Sequence, residues 1–281
     1  MGVGFGNGVN LEYNNIVDEL AEQGVTNSRA FSVALGPSSQ NNGGLVIFGG
    51  IDTKKYAGKL FTFPNLPPQP GEKNHWRYWI QLDSIGFTKA NGGGSTVYQN
   101  SRTPIVLDSG ATYSYLPASI ITKLAADFGG TMDSDGITQV PCSLLNQGGS
   151  VDFTFGQLVI RVPNKEFLRQ VDSSTCIMGA MVAEDTLLLG DTFMRSAYGM
   201  LIPPAPGLSC GQLLTATQSS LTRPTRKSRW PRTPTAAPAS RASRRARVPW
   251  ATCRASAPAP PRAARRRTCG WPSPASPACS W

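Results

Sequence analysis

A mainly β chain followed by a basic tail is what the sequence predicts, on three observations. Short runs rich in β-branched and aromatic residues recur at Ala30 to Leu35, Leu45 to Phe48, Lys59 to Phe63, Val151 to Phe155 and Leu158 to Val162. Clusters of Gly, Ser, Asn and Pro, such as 36–44 and 49–53, separate the first of these runs as turns do. The third observation is the distribution of charge. The whole chain of 281 residues has a formal charge of +10, yet Met1 to Pro206 holds 13 Lys or Arg against 17 Asp or Glu, and Gly207 to Trp281 holds 14 basic residues and no acidic one. A net charge of +10 on its own points to a polyanionic partner, but here the basicity belongs to the tail, and the body is weakly acidic. The body is long enough to bury a core.

The chain opens on Met1-Gly2-Val3-Gly4-Phe5-Gly6-Asn7-Gly8. No signal peptide and no apolar run near the ~20 residues of a membrane span is visible. These glycines do not fall at the first, third and sixth positions of one window, and no strand precedes them, which excludes a dinucleotide fingerprint. Asn15 to Gly24 reads as a short helix: Asn15 caps it, Asp18 and Glu19 lie in the first turn, Ile16 and Leu20 share a face, and Gly24 stops it. After the first three strand runs, Pro64-Asn65-Leu66-Pro67-Pro68-Gln69-Pro70-Gly71 is too rich in proline to join a sheet ladder and reads as a connector. His75, the one histidine, stands beside Trp76 and Trp79. Without a nucleophile signature or a ligand at zinc spacing it reads as a surface or packing residue, so neither metal nor cofactor is expected.

The stretch that carries chemistry is Pro104-Ile105-Val106-Leu107-Asp108-Ser109-Gly110-Ala111-Thr112. An apolar, β-branched run delivers one carboxylate onto a turn that Gly110 allows to be tight. Asp108-Ser109-Gly110 taken alone also fits an ordinary polar turn. A second helix is expected from Pro117 to Phe128, with Ile120, Ile121, Leu124 and Phe128 on one side and Gly129-Gly130 as its stop. Leu187-Leu188-Leu189-Gly190-Asp191 follows further on.

This combination resembles the second half of a pepsin-like aspartic protease, in the secreted fungal yapsin and candidapepsin branch. Gly49-Gly50-Ile51-Asp52 with Tyr56-Ala57-Gly58-Lys59-Leu60 resembles the family's lobe-crossing segment. Tyr78 to Ile85 resembles the strand that opens its C-terminal lobe, and Asp191 to Tyr198 its closing segment. The similarity runs from about residue 1 to 198. It implies a bilobal, pepsin-like fold with residues 1–63 as a remnant of the N-terminal lobe, 64–74 as connector, 75–204 as the C-terminal catalytic lobe and 205–281 as a disordered, basic, Pro/Ala/Arg-rich tail.

Residue by residue, the resemblance makes Asp108 the second catalytic aspartate, Ser109 the hydroxyl that ties two active-site turns together, and Gly110 a backbone position lining the cleft. Thr112 becomes a substrate-contacting hydroxyl, and Ala111 stands beside it where threonine is commoner. Asp191 takes a structural place packed against the catalytic loop. Cys142 and Cys176 match the lobe's disulfide, the alternative being two reduced, buried thiols.

Peptide hydrolysis by this chemistry needs two facing carboxylates that share one proton. Asp52-Thr53-Lys54, Asp83-Ser84-Ile85, Asp133-Ser134-Asp135, Asp172-Ser173-Ser174 and Asp191-Thr192-Phe193 all fail to place glycine third, so only Asp108 qualifies. Because Gly2-Val3-Gly4-Phe5 resembles a segment downstream of the first catalytic aspartate, the chain is expected to begin inside the N-terminal lobe. The resemblance also implies an extracellular or secretory setting, a peptide or protein substrate, no nucleic-acid partner and a monomeric full-length protein.

Beyond Tyr198 the family pattern stops, and its terminal strands are expected to be replaced. From Thr222 to Trp281 every residue except Lys227 and Val248 is Ala, Pro, Arg, Ser, Thr, Gly, Cys or Trp. All have codons with C or G at the second position, the pattern of GC-rich DNA translated out of frame. A genuine tail of this composition would be disordered. Three functions remain open: an aspartic endopeptidase, a non-catalytic peptide binder, and a basic-tail protein that binds polyanions.

Overall fold

The computed structural model describes residues 1–40, 44–72, 75–90, 93–99, 102–203 and 211–216. Helix α1 (Ile16–Glu22) starts at Asn15, whose side chain accepts the N–H groups of Val17 and Asp18 while the Asp18 carboxylate accepts the N–H of Asn15. This reciprocal box satisfies donors that the first helical turn leaves free. Asp18 also pairs with Arg29 at 3.2 Å. The helix buries Val17 and Asp18, and Ile16, expected on the packed face, is exposed. The cap turns the helix so that its first residue points outward.

Strands β1 (Phe31–Ala34), β2 (Leu45–Phe48) and β3 (Phe61–Pro64) do not form a sheet by themselves. They are completed by β17 (Ala197–Leu201) and β18 (Gly211–Ala216), in the antiparallel order β2-β1-β17-β18-β3. Phe31 faces Leu201 in this register, and Thr62 faces Leu213. The four residues of β1 are all buried, as an inner strand covered on both faces requires. Beneath the sheet, Tyr198 donates its hydroxyl to Ser32 Oγ at 2.9 Å and accepts the Asp52 N–H at 2.9 Å, and Ser32 donates to the Gly50 carbonyl. The Gly49 to Asp52 turn is thereby fastened to β17.

β18 corrects the expectation of a structureless segment from residue 205 onward. Its backbone fills the gap between β17 and β3, pairing with both. A strand in that position is selected by two facing rows of backbone donors and acceptors that need partners, a demand invisible in the composition of the segment itself. The rest of the expected tail, 205–210 and 217–281, lies outside the described residues.

The second sheet is built from β4 (Trp79–Leu82), β7 (Thr103–Leu107), β8 (Ser114–Leu116), β15 (Ala180–Val182) and β16 (Leu188–Leu189), in the order β15-β8-β16-β7-β4. β16 runs parallel to β7, and β15 parallel to β8. A third sheet takes β5 (Ser84–Lys89), β6 (Ser95–Gln99), β11 (Gly149–Phe155) and β12 (Leu158–Pro163), ordered β12-β11-β5-β6. In β11 and β12 buried and more exposed residues alternate, so one face is left for the core. The fourth sheet, β13-β14-β10-β9, uses β9 (Thr131–Met132), β10 (Thr138–Val140), β13 (Leu168–Gln170) and β14 (Cys176–Met178).

Helix α2 (Ala118–Asp127) buries Ile120, Ile121 and Leu124 and stops at Phe128, with Gly129 at φ +63°. That left-handed turn is what glycine after a helix supplies. Two short helices, α3 (Asn164–Phe167) and α4 (Asp191–Met194), complete the fold. Phe193 of α4 meets Phe153 and Phe155 edge-on, with ring centroids 5.0 and 6.0 Å apart, so the second and third sheets share one core. Among the described residues no helix is long and apolar enough to cross a membrane.

Candidate active site

Asp108 stands where β7, an inner strand of the second sheet, ends. Its N–H donates to the Leu189 carbonyl at 3.0 Å, continuing the parallel pairing of β7 and β16 by one residue. The side chain is half-buried, and Oδ1 accepts the Gly110 N–H at 2.8 Å. A Cβ on Gly110 would come within 3.1 Å of that same oxygen, so glycine lets the turn fold back onto the carboxylate. Ser109 and Thr112 are exposed beside it, with Ala111 half-buried between them and α4.

The turn is held by the segment that follows β16. The Asp191 N–H donates to the Ala111 carbonyl at 2.8 Å and the Thr192 N–H to the Thr112 carbonyl at 3.2 Å. A Cβ at Gly190 would sit 2.4 Å from the Tyr113 carbonyl oxygen and 2.5 Å from that of Ala111, which explains glycine there. Behind the turn lies a buried hydroxyl relay with no local signal in the sequence. Thr192 donates to the Gly179 carbonyl at 2.7 Å, leaving Ser114 to donate to Thr192 Oγ1 at 3.2 Å while its oxygen accepts the Gly190 N–H at 3.3 Å. Ser114 and Thr192 lie 78 residues apart, and no local spacing in the chain pairs them.

Asp191 packs against the Asp108 turn, and it also carries electrostatic weight. Burial pushes its carboxyl above the ordinary range, the Arg195 guanidinium at 3.8 Å pulls it back, and the negative charge of Asp108 raises it further. Oδ1 of Asp191 is buried without a hydrogen-bond partner among the described residues. The neutral acid is the form this setting favours.

Other candidate residues fall away from the turn. Cys142 and Cys176 form a disulfide that joins a 3-10 turn to β14. His75 is exposed, its backbone N–H donating to the Glu72 carbonyl at 2.8 Å. Glu72 ties the connector to the loop before β16: it accepts the Thr186 hydroxyl at 2.5 Å and the Arg77 guanidinium at 2.8 Å, and its pKa is lowered, chiefly by the Thr186 bond. The N-terminal segment packs close to the site as well. Tyr78, whose carbonyl accepts the Leu107 N–H, donates its hydroxyl to the Val3 carbonyl and lies 4.7 Å from the Phe5 ring.

One carboxylate, oriented by a backbone N–H and presented on a clamped turn, can act as a general base or share a proton with a second acid. Residues 1–201 match the family model for eukaryotic aspartyl proteases. Secreted aspartic protease 8 of Candida albicans is 35% identical over 224 residues, which are 79% of this chain and 51% of that protein. Rhizopuspepsin-1 of Rhizopus niveus is 31% identical over 65% of this chain and 43% of its own length. Yapsin-3 of Saccharomyces cerevisiae is 30% identical over 66% of this chain and 37% of its own length. The chain thus spans about half, or less, of these relatives. With its strand-borne Asp-Ser-Gly turn clamped by a Leu-Leu-Gly-Asp segment and its match over residues 1–201, the chain belongs to the eukaryotic aspartyl protease family, in the pepsin-like yapsin and candidapepsin branch.

Proposed function

We propose that this chain carries one half of the catalytic dyad of an aspartic endopeptidase, with Asp108 as its carboxylate. The observation that supports this most is the Asp108 turn itself: a half-buried carboxylate at a strand end, with one oxygen held by the Gly110 N–H and the turn backbone held by residues 190–192. In such a site a second carboxylate faces the first, the pair holds one proton, and the ionised member draws a proton from water while the other protonates the peptide oxygen or leaving amine. Asp108 supplies one of these roles and cannot fill both. Ser109, Gly110, Ala111 and Thr112 line the peptide path beside it, and Thr112 offers its exposed hydroxyl to the substrate backbone. The name of the Candida relative and the Cys142–Cys176 disulfide favour an extracellular or secretory setting. The substrate is a peptide or unfolded protein segment, and the complete enzyme acts as a monomer.

The purified chain should give no measurable cleavage of acid-denatured globin at pH 4, because the sequence holds a single Asp-Ser-Gly turn. Cleavage that disappears in Asp108→Asn would mean that two copies assemble a dyad, and would overturn the one-carboxylate reading. Sequencing of the full transcript tests the enzyme assignment. It is expected to place an in-frame Asp-Ser/Thr-Gly upstream of Gly2 in a product that cleaves globin at acidic pH. A second reading, peptide binding without turnover, is favoured by the same single turn and would stand if no such frame exists.

A further inference from the structure

Arg169 occupies β13 opposite Ile177 of β14, two residues before Gly179. The Gly179 carbonyl accepts the Ser114 N–H, and from there β15 runs parallel beside β8. This path brings Arg169 to Tyr113, the residue between the catalytic turn and β8. Its guanidinium carbon lies 5.9 Å from the centroid of the Tyr113 ring, and Nη1 is 3.5 Å from the Tyr113 hydroxyl. A guanidinium over an aromatic face is held flat by the ring while its outer N–H groups stay available.

Arg169 is exposed and, among the described residues, pairs with no carboxylate. The next acid along the chain, Asp172, is spent on its own turn. It accepts the N–H groups of Ser174 and Thr175, which hold its carboxyl down to about 2. Tyr113 follows directly on Ala111 and Thr112, whose carbonyls accept the Asp191 and Thr192 N–H groups, and it lies five residues from Asp108. A cation that pairs with no carboxylate among the described residues therefore rests on Tyr113, the residue that follows the exposed Thr112 in the chain.

We propose that Arg169, braced on Tyr113, forms the wall of a specificity subsite that takes an acidic side chain of the bound peptide. The inference rests on the peptide-binding reading of the Asp108 turn given above. Arg169 touches the substrate side chain and not the scissile bond, so it sets preference without taking part in bond cleavage. A carboxylate meets the planar guanidinium edge through two N–H groups, a geometry that lysine does not reproduce.

The test uses the whole chain and fluorescein-labelled octapeptides in which one Glu is walked through an Ala/Leu host, each matched by a Gln peptide, with affinities read by fluorescence anisotropy at pH 6 and low salt. The fourteen basic residues beyond Gly207 attract every acidic peptide alike, so the decisive quantity is position dependence and its change on mutation. Wild type should prefer Glu over Gln at one position by on the order of fivefold above the other positions. Arg169→Gln should erase that excess, while Arg169→Lys keeps only part of it. Binding with no position-specific excess, or an excess that survives Arg169→Gln, overturns the subsite and leaves the peptide-binding reading standing. Failure of every peptide to bind, Glu or Gln, overturns both.

Discussion

At the residue scale, Asp191 shows how a packing residue acquires a second role. Its backbone N–H holds the Ala111 carbonyl, and its half-buried carboxyl is kept above the unfolded pKa by partial burial and by the negative charge of Asp108, with Arg195 opposing. A raised carboxyl pKa contributes stability that is fully present below the unfolded value, about 3.9, and is lost as pH rises through the folded value. Wild type should accordingly lose thermal stability relative to Asp191→Asn as pH climbs from about 3.5 towards 7. Asp108→Asn, by removing the like charge, should flatten that loss in the wild-type background. Thermal midpoints across this range check both statements, and a wild-type minus Asp191→Asn difference that stays constant with pH would refute them. The local residues of the site were legible in the sequence because a strand, a carboxylate and a glycine occur consecutively at 104–110. The Ser114–Thr192–Gly179 relay was not, because its members meet only after β8, α4 and the segment between β14 and β15 have been brought together.

At the scale of elements, the informative case is β18. It is paired on both sides, with β17 from Ala197 to Leu201 and with β3 from Phe61 to Pro64. Ending the chain after Pro203 would leave two inner strand edges without partners. The thermal midpoint should fall by at least ~5 °C, equivalent to roughly 2 kcal/mol for a body of this size. In the full chain, Leu213→Pro removes one ladder donor from an inner strand and should move the midpoint in the same direction by less. Unchanged melting of both proteins would show that β18 contributes nothing to the sheet. α1 and α2 were readable in advance, since caps, stops and the apolar stripe are local signals. Only the rotation of α1 escaped: burial of Asp18 through its bonds to Asn15 and Arg29 set the inward face, and no periodicity of apolar residues reports that.

At the scale of the whole molecule, a covalent tie and an interleaved sheet hold distant segments together. The Cys142–Cys176 bridge closes a loop with a sequence separation of 34. Replacing both residues by serine should lower stability by about 3–4 kcal/mol, read as a shift in the urea midpoint, with reductant producing a similar shift in the wild type only. Equal midpoints for the two proteins would mean that the loop is already restrained in the unfolded chain. The mainly β character, the helix limits, the division between an acidic body and a basic tail, and the single Asp-Ser-Gly turn proposed as the site were all legible in the sequence, because each is written in neighbouring residues. What required the assembled fold is that β1 and β3 are completed by β17 and β18, that Asp191 and Thr192 clamp the Asp108 turn, that Asp191 feels the charge of Asp108, and that Arg169 reaches Tyr113. These are pairings between residues tens to more than a hundred positions apart, and their energies depend on burial and on unpaired backbone groups that exist only once the sheets have formed.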